Sequence, residues 1–463
     1  MSGKGARRLG DIDLRDHATA LTLPPALDGP FPAGFVWGTA TSSFQIEGGR
    51  AGRGDSIWDR FCEQAGTIVD GSNGDVACGH VEHAGSDIRM MSALGMGAYR
   101  FSIAWPRIIP GGRGDPAPAG LDFYDRLVDG LLATGIEPYV TLYHWDLPQE
   151  LEEHGGWPER ATAYRFAEYA EVIASHLGDR VKHWATLNEP YCSAHFGYGT
   201  GTMAPGRRDS AAEFAAAHHL LLGHGLAVDR IRDRVPDAEV GIVLNFAPAH
   251  PASTDAADIA AAAIEHARFN RWFVEPLAGV GYPIDDTGDV RWSGAEIHDG
   301  DLDIIATPID VLGVNYYTRS LVAAGPDPVA PRVPVTAMGW EIYPQGLSEI
   351  LRWLDDHFSF PRFLITENGA AMADVPDGDG YVDDRDRIEY LRAHLAEVHR
   401  LIGEGIPVAG YFAWSFLDNF EWAHGYTQRF GLVRVDYDTL RRTPKASAGW
   451  YSEVIRANRL PWA

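Results

Sequence analysis

Eight segments of the chain have the pattern of buried β-strands, and segments with helical periodicity stand between them. Each strand segment is a nearly continuous apolar run, which is typical of parallel strands that are covered on both faces. The strand segments are residues 35–40, 98–103, 136–145, 181–189, 240–245, 310–317, 363–369 and 408–415. Helical patterns occupy residues 87–94, 124–133, 161–176, 210–232, 346–356 and 385–402. This alternation predicts an α/β protein that forms a single (β/α)8 TIM barrel with extended βα loops.

The parts of the chain outside this pattern define its organisation. Residues 1–26 contain Arg7, Arg8 and several acidic residues but no apolar core of a signal peptide, so we expect a flexible N-terminal tail. No linker divides residues 27–463, and we expect them to form the barrel as one catalytic domain. No window approaches 18 uninterrupted apolar residues, which argues against a membrane-spanning helix.

Charge and cysteine content limit the partners and the compartment. The formal net charge is −25. Nucleic acids and anionic membranes are bound through basic surfaces, so we expect neither as a partner. The three cysteines, Cys62, Cys78 and Cys192, match neither a zinc spacing nor an even-numbered disulfide framework. We expect free thiols in a reducing compartment, the cytoplasm.

Polar side chains gather at the ends of the predicted strands. In residues 363–369 an apolar run leads directly into Glu367. A carboxylate at the end of a buried strand needs partners, so Glu367 taken alone fits a structural ion pair as well as catalysis. In a (β/α)8 barrel the C-terminal ends of all strands meet at the face that carries the active site. The residues at these ends are Gln45, His144, Asn188, Glu189, Asn315, Tyr317, Glu367 and Trp414.

Glu189 and Glu367 end two different predicted strands and are expected to point into the same cleft. Glycoside hydrolysis uses such a pair, because one carboxyl group protonates the leaving oxygen while the other attacks the anomeric carbon, at ~5–5.5 Å separation when configuration is retained. The surrounding side chains suit a sugar, with hydrogen-bonding groups for hydroxyls and flat rings for a pyranose. The hydrogen-bonding residues are Gln45, His144, Asn188 and Glu421, and the aromatic residues are Trp145, Trp340, Trp414 and Trp422.

Other chemistries lack their motifs. The Gly-rich segments contain no GxxxxGK[ST] phosphate loop, and the pairs His80/His83 and His218/His219 lack a third metal ligand at a recognisable position. We therefore expect no metal and no cofactor. A metal-dependent barrel enzyme is kept as an alternative that chelation can test.

Seven motifs in sequence order resemble those of family 1 glycoside hydrolases, the β-glucosidase family. The two signature motifs are residues 186–190 (Thr-Leu-Asn-Glu-Pro) and 365–369 (Ile-Thr-Glu-Asn-Gly). The others are residues 35–40 with 43–48, 99–105, 144–148, 315–317, and 414–415 with 418–422. The resemblance is continuous from about residue 31 to 458. It implies a retaining enzyme that hydrolyses terminal β-D-glucosyl residues of cellobiose, short oligosaccharides and aryl or alkyl β-glucosides.

The resemblance also implies roles for individual residues. Glu189 would be the general acid/base, which requires a raised pKa, and Glu367 the nucleophile that forms a covalent glycosyl-enzyme. Trp145 is expected to pack behind His144. The nucleophile would be supported by Arg100, Tyr317 and Asn315. Trp340 would form a wall of the aglycone site, and Trp414 the floor of the glycone site. The residues that would bind the glycone are Gln45, His144, Asn188, Tyr317, Glu421 and Trp422. For Arg100 a purely structural buried ion pair is the alternative.

One departure from the family pattern concerns the residue after Asn-Glu-Pro. Family members commonly have Trp there, whereas this chain has Tyr191 followed by Cys192, which bears on aglycone preference and leaves the chemistry intact. Cys192 is expected to be a buried small residue and not a nucleophile.

Two further functions are weighed against a β-glucosidase. One is a 6-phospho-β-glucosidase, which the carboxylate of Glu421 disfavours because it would repel a phosphate. The other is a non-hydrolytic sugar-binding protein on the same fold. Glucose, galactose and fucose stay open as the glycone, and the oligomeric state stays open as well.

Overall fold

The protein is a closed barrel of parallel strands surrounded by helices. The computed structural model describes residues 29–283 and 296–461. The strands in these ranges are β1 (Val36–Ala40), β2 (Ala98–Ser102), β3 (Glu137–Tyr143), β4 (His183–Asn188), β5 (Glu239–Phe246), β6 (Ala249–Pro251), β7 (Val311–Tyr316), β8 (Ser320–Val322), β9 (Phe363–Asn368), β10 (Val408–Trp414), β11 (Val433–Val435) and β12 (Arg442–Pro444). Strands β1, β2, β3, β4, β5, β7, β9 and β10 pair in this order, all parallel, and β10 returns to β1. The predicted (β/α)8 barrel is confirmed.

Each predicted strand segment corresponds to one barrel strand, with ends that differ by two residues at most. Two small sheets were not predicted. Strand β6 pairs with β8 in parallel, and β11 pairs with β12 in antiparallel orientation. Each of these four strands has three residues, too few for a periodic pattern to stand out in the sequence.

The helices form the outer layer. The longer ones are His80–Leu94, Pro118–Ala133, Ala161–Leu177, Ser210–Arg234, Ala256–His266, Gln345–His357, Arg385–Gly403 and Ala446–Ala457. Shorter helices in the described ranges are Ser43–Ile46, Ile57–Cys62, Trp105–Ile108, Gln149–Glu153, Trp272–Leu277 and Asp301–Ile305, and two π-helical segments are Cys192–Gly199 and Ala267–Arg271. All six predicted helices are present.

Two predicted helix starts were too late. The helix predicted from residue 87 begins at His80, because Gly79 adopts a φ of +61° and turns the chain into the helix seven residues earlier. The helix predicted from residue 124 begins at Pro118, a residue that suits a first turn because its missing N–H is unpaired there anyway.

The core has an inner and an outer part. Inside the barrel a small cluster contains Ala40, Ala98, Leu364, Phe412 and Trp414. The larger cluster lies between the strands and the helices. Trp37, Trp105 and Trp184 are buried in this outer core.

Irregular pairing occurs at the ends of the two strands that carry the signature motifs. In β4 one extra residue lies between Ala185 and Asn188 relative to β5, and in β9 one lies between Ile365 and Glu367 relative to β7. Bulges of this kind redirect side chains and are common beside active sites. Gly369 follows immediately, and a β-carbon there would lie 1.7 Å from the carbonyl oxygen of Trp414. The end of β9 therefore needs glycine to pass β10.

The N-terminal tail predicted for residues 1–26 lies outside the described residues. In the described ranges no helix is long and apolar enough to cross a membrane.

Candidate active site

The C-terminal ends of the barrel strands bring the two glutamates of the signature motifs to the same face. Glu189 follows β4 directly, and Glu367 is the second-last residue of β9. Both side chains are almost fully withdrawn from solvent, with residue exposures of 7% and 3%. The negative charge of Glu367 raises the pKa of Glu189. The two carboxyl groups thus belong to one coupled site.

Glu367 is held by a cation and a phenol. The Arg100 guanidinium donates from Nη1 to Oε1 at 2.7 Å, and the Tyr317 hydroxyl donates to Oε2 at 2.7 Å. Arg100 is itself fixed by Thr141 Oγ1 at 3.1 Å and by Asn188 Oδ1 at 2.7 Å. Burial raises the pKa of Glu367, and Arg100 and Tyr317 oppose this rise by stabilising the carboxylate.

Glu189 has different surroundings. The amide of Asn315 donates to Oε1 at 2.7 Å, and the thiol of Cys192 donates to Oε2 across 3.4 Å. Burial, followed by the charge of Glu367, raises the pKa of Glu189 to about 8. Because the cation lies against Glu367, a single proton shared by the pair rests on Glu189 at neutral pH.

Asn188 connects these groups to His144. Its Oδ1 accepts from Arg100 and from Asn315 Nδ2 at 3.1 Å, so its Nδ2 is left to donate to His144 Nε2, also at 3.1 Å. Burial, with Arg100 nearby, lowers the pKa of His144 well below its ordinary value, so the ring is neutral and carries its proton on Nδ1. In the described part of the chain this buried Nδ1 has no hydrogen-bond partner. It is a donor available to a ligand hydroxyl.

Gln45 and Glu421 form another side of the site. Gln45 Nε2 donates to Asn419 Oδ1 at 2.9 Å, to the carbonyl of Phe420 at 3.0 Å and to Glu421 Oε2 at 3.4 Å. Burial, with Glu367 and then Glu189 nearby, raises the pKa of Glu421 to about 8. A third carboxyl group therefore faces the same space, and it is already within reach of an amide that can share a hydroxyl with it.

Aromatic rings surround the polar groups. The His144 ring is roughly parallel to Trp414 and Trp422, with centroids at 5.8 and 5.9 Å. Trp145 packs beside His144 at 5.3 Å and donates from Nε1 to the carbonyl of Asn188, which agrees with the expected packing behind His144. Half-buried Trp340 lies 5.5 Å from the ring of Tyr317. These rings offer flat apolar faces next to hydrogen-bonding groups, as a sugar requires.

Three residues of the site have backbone conformations that are unusual for side chains other than glycine. The φ angles are +78° at Trp145, +46° at Glu189 and +50° at Trp422. Such conformations cost free energy and persist where the surrounding structure enforces them, most often at functional sites. All three lie in the segments that follow barrel strands at the C-terminal end of the barrel.

The structure brings together the site residues that the sequence predicted. The contacts of Asn315 and Cys192 go beyond the expectation. Asn315, expected to support Glu367, makes its 2.7 Å hydrogen bond to Glu189, and its amide also contributes to lowering the pKa of Glu367. Cys192, expected to be a buried small residue, is buried, and its sulfur also contacts Glu189. The signal for the second contact is its position three residues after Glu189, one turn along the chain.

Tyr191 packs against a different set of aromatic residues. Its ring stacks on His195 at 4.9 Å and lies 4.4 Å from the ring of Phe269. It lines a cavity of about 330 Å³ together with residues of the π-helical segment Cys192–Gly199, of the helix Ser210–Arg234 and of residues 265–273. In residues 29–283 and 296–461 no group of three or more His, Cys, Asp or Glu side chains is arranged to hold a metal ion.

Comparison with known proteins places this chain in a family. The model of glycosyl hydrolase family 1 matches residues 27–460. β-Glucosidase A of Thermotoga maritima is 46% identical over 440 residues, which cover 93% of this chain and 98% of the relative. The β-glucosidase of an Agrobacterium species is 44% identical over 446 residues, which cover 94% and 97% of the two chains. The solved family 1 β-glucosidase from Thermotoga maritima superimposes with a TM-score of 0.91 over 94% of this chain and 99% of its own. The chain belongs to glycosyl hydrolase family 1.

Proposed function

We propose that the protein is a retaining β-glucosidase in which Glu367 is the nucleophile and Glu189 the general acid/base. The observation that carries the proposal is the contrast between two buried carboxyl groups in one site. Glu367 contacts Arg100 and Tyr317, which favour the ionised form, whereas burial and the charge of Glu367 keep Glu189 protonated. A double displacement needs these two protonation states in this arrangement.

In the first step a carboxylate oxygen of Glu367 bonds to the anomeric carbon as the bond to the leaving oxygen breaks. Glu189 gives its proton to that oxygen, so the aglycone leaves as a neutral alcohol. Formation of the ester removes the negative charge of Glu367, which lowers the pKa of Glu189. Glu189 is then a carboxylate that accepts a proton from water, the water oxygen bonds to the anomeric carbon, and Glu367 leaves as the carboxylate.

The glycone is proposed to lie among Gln45, His144, Asn188, Glu421 and Trp422, with Trp414 beneath it. The protonated Nδ1 of His144 and the Gln45–Glu421 pair supply hydrogen-bonding groups to ring hydroxyls. Trp340 is proposed as a wall of the aglycone site because it is half-buried and lies beside Tyr317. These contacts need no cofactor.

The relatives support glucosides as substrates. They include β-glucosidases, a 1,4-β-D-glucan glucohydrolase of Thermotoga neapolitana, and a bifunctional β-D-glucosidase/β-D-fucosidase of Bifidobacterium breve. The Thermotoga maritima enzyme has been solved with both glucoimidazole and galacto-hydroximolactam. We therefore propose cellobiose, short oligosaccharides and aryl or alkyl β-glucosides as substrates, with galactosides and fucosides as weaker ones.

A 6-phospho-β-glucosidase is the second candidate within the family. The position of Glu421 disfavours it, because burial and the charges of Glu367 and Glu189 already raise the pKa of Glu421, and a phosphate would add further negative charge beside these carboxyl groups. Faster cleavage of an aryl 6-phosphoglucoside than of the matching aryl glucoside would select this alternative.

We also propose a cytoplasmic location, because Cys62, Cys78 and Cys192 form no disulfide bonds and free thiols are typical of a reducing compartment.

Azide rescue tests the proposed roles. Replacement of Glu367 with Gly removes the nucleophile, so hydrolysis of a nitrophenyl β-glucoside is expected to be lost, and azide is expected to restore turnover as the inverted glycosyl azide. Replacement of Glu189 with Ala is expected to give rescue by azide with retained configuration instead, because azide then attacks the glycosyl-enzyme. Undiminished hydrolysis in the Glu367→Gly variant, or the same product stereochemistry from both variants, would refute the assignment and favour another nucleophile. Absence of hydrolysis in the native protein would favour a non-hydrolytic sugar-binding protein.

A further inference from the structure

Both oxygens of the Glu189 carboxyl group accept hydrogen bonds, one from Asn315 and one from Cys192, a residue with no role in the proposed reaction. Asn315 donates to Oε1 at 2.7 Å. On the other side the sulfur of Cys192 lies 3.4 Å from Oε2. Cys192 is buried, and its backbone N–H donates to the carbonyl of Glu189 at 2.9 Å. This tight turn folds the thiol back over the carboxyl group that precedes it by three residues.

The thiol is oriented by a neighbour on the next strand. Asn245 Nδ2 lies 3.6 Å from the sulfur of Cys192 and donates to it. Since sulfur accepts this hydrogen bond, the S–H proton is free to point at Glu189 Oε2. Asn245 and Asn315 are register partners at the ends of β5 and β7. The two asparagines therefore hold opposite oxygens of Glu189, Asn315 directly and Asn245 through Cys192.

The thiol keeps its proton in these surroundings. Burial, followed by the charge of Glu189, raises the pKa of Cys192 well above its ordinary value. Cys192 is thus a hydrogen-bond donor and not a thiolate nucleophile. A thiol is a weak donor, and it stabilises a carboxylate more than a neutral carboxylic acid.

We propose that Cys192, oriented by Asn245, is a positioning residue that holds the carboxyl group of Glu189 in the orientation from which it delivers its proton. The inference rests on the proposed role of Glu189 as general acid/base. Cys192 touches neither substrate nor the reacting carbon in this account, and it acts only through Glu189. The other charged or titratable groups that face Glu189 are Glu367, Arg100, Tyr317 and Glu421.

The hydrogen bond has a consequence for the pH profile. Because it favours the ionised form of Glu189, its loss is expected to raise the pKa of Glu189 and to move the alkaline limb of kcat/KM to higher pH. The expected size is roughly half a pH unit, as for one weak hydrogen bond to a carboxylate. A hydroxyl is a stronger donor than a thiol, so the order of the alkaline limbs is Cys192→Ala highest, native protein next and Cys192→Ser lowest.

The test compares the native protein, Cys192→Ala and Cys192→Ser by pH profiles of kcat/KM with cellobiose and with 2,4-dinitrophenyl β-glucoside. Cellobiose needs a proton on its leaving oxygen, so its alkaline limb is expected to follow the order above. Dinitrophenolate leaves without a proton, so its rates are expected to agree within about twofold among the three proteins. Cys62→Ala is the matched control, because Cys62 lies in the helix Ile57–Cys62 away from Glu189 and is half-buried.

Two outcomes would overturn the proposal. One is an alkaline limb that stays in place in both variants. The other is a shift of equal sign in Cys192→Ala and Cys192→Ser, which indicates altered packing instead of a lost donor. Should Cys192→Ala fail to fold, the single-atom change to Ser carries the test, since an unchanged limb there also refutes the proposal.

Two further variants test the roles of Asn245 and Glu189 separately. If Asn245 acts through Cys192, Asn245→Ala shifts the limb in the native background and adds nothing in the Cys192→Ala background; full additivity would show that Asn245 acts by another route. In Glu189→Gln the alkaline limb is expected to disappear. Its persistence there would mean that Glu189 is not the general acid, and the proposed function would fail before the inference about Cys192.

Discussion

Removal of one hydroxyl group, in Tyr317→Phe, isolates the contribution of a single hydrogen bond to the ionisation of the nucleophile. The Tyr317 hydroxyl donates to Glu367 Oε2 at 2.7 Å. A hydrogen bond to a charged group is worth ~1.5–3 kcal/mol, and one pKa unit corresponds to ~1.36 kcal/mol. Loss of the bond is therefore expected to raise the pKa of Glu367 by about 1–2 units. The phenyl ring remains to pack against Trp340, whose centroid lies 5.5 Å away.

The sign of the effect on activity follows from the required protonation states. The enzyme is active when Glu367 is ionised, so a higher pKa of Glu367 removes active enzyme from the acidic side of the profile. The acidic limb of kcat/KM is expected to move up by about 1–2 pH units, while the alkaline limb moves less. Initial rates with a nitrophenyl β-glucoside across the pH range measure both limbs.

The neighbouring tyrosine supplies a matched control. Tyr316 is fully buried and donates from its hydroxyl to the carbonyl of Tyr343 at 2.5 Å. Tyr316→Phe therefore also loses a buried hydrogen bond, at a cost to the free energy of unfolding, but leaves Glu367 untouched. An acidic limb that moves equally in both variants, or in neither, would refute the assignment of Tyr317 as the donor that keeps Glu367 ionised.

Three other predictions concern the scaffold and the absence of a metal requirement. Lys445 is buried between the carboxylates of Asp374 and Asp418, so Lys445→Met is expected to lower the free energy of unfolding by ~3–5 kcal/mol, measured by denaturant titration. Gly369→Ala forces a β-carbon against the backbone of β10 and displaces the nucleophile, with an expected fall in kcat/KM of about 100-fold, whereas Gly403→Ala, which has open space, is expected to be neutral in the same assay. Exhaustive chelation is expected to leave hydrolysis at full rate, and a loss that added metal restores would select a metal-dependent enzyme.

The sequence was sufficient to predict the barrel, because each barrel strand is a continuous apolar run that ends in polar residues. It also placed Glu189 and Glu367 at one face, since that convergence follows from the closed parallel topology. Burial on both faces was the informative property. The three-residue strands of β6 and β8 have no such property and were missed.

The finer arrangement of the site depends on features that leave little trace in a sequence. The bulges in β4 and β9 redirect Glu189 and Glu367, but pairing register is a relation between strands that are far apart in the chain. The proton position on His144 follows from the three contacts of Asn188, which involve one residue of β2, one of β7 and the residue that follows β3. The contact of Cys192 with Glu189 depends on a turn with φ of +46° at Glu189, a conformation that residue propensity does not favour.

Trapping of the glycosyl-enzyme tests the central claim most directly, because three carboxyl groups share the site. Incubation with 2,4-dinitrophenyl 2-deoxy-2-fluoro-β-glucoside, followed by proteolysis and mass spectrometry, identifies the side chain that bonds to the anomeric carbon. The account predicts one adduct, located on Glu367, and recovery of activity when the adduct turns over. An adduct on Glu189 or Glu421, or inactivation-free turnover with no adduct at all, would contradict it.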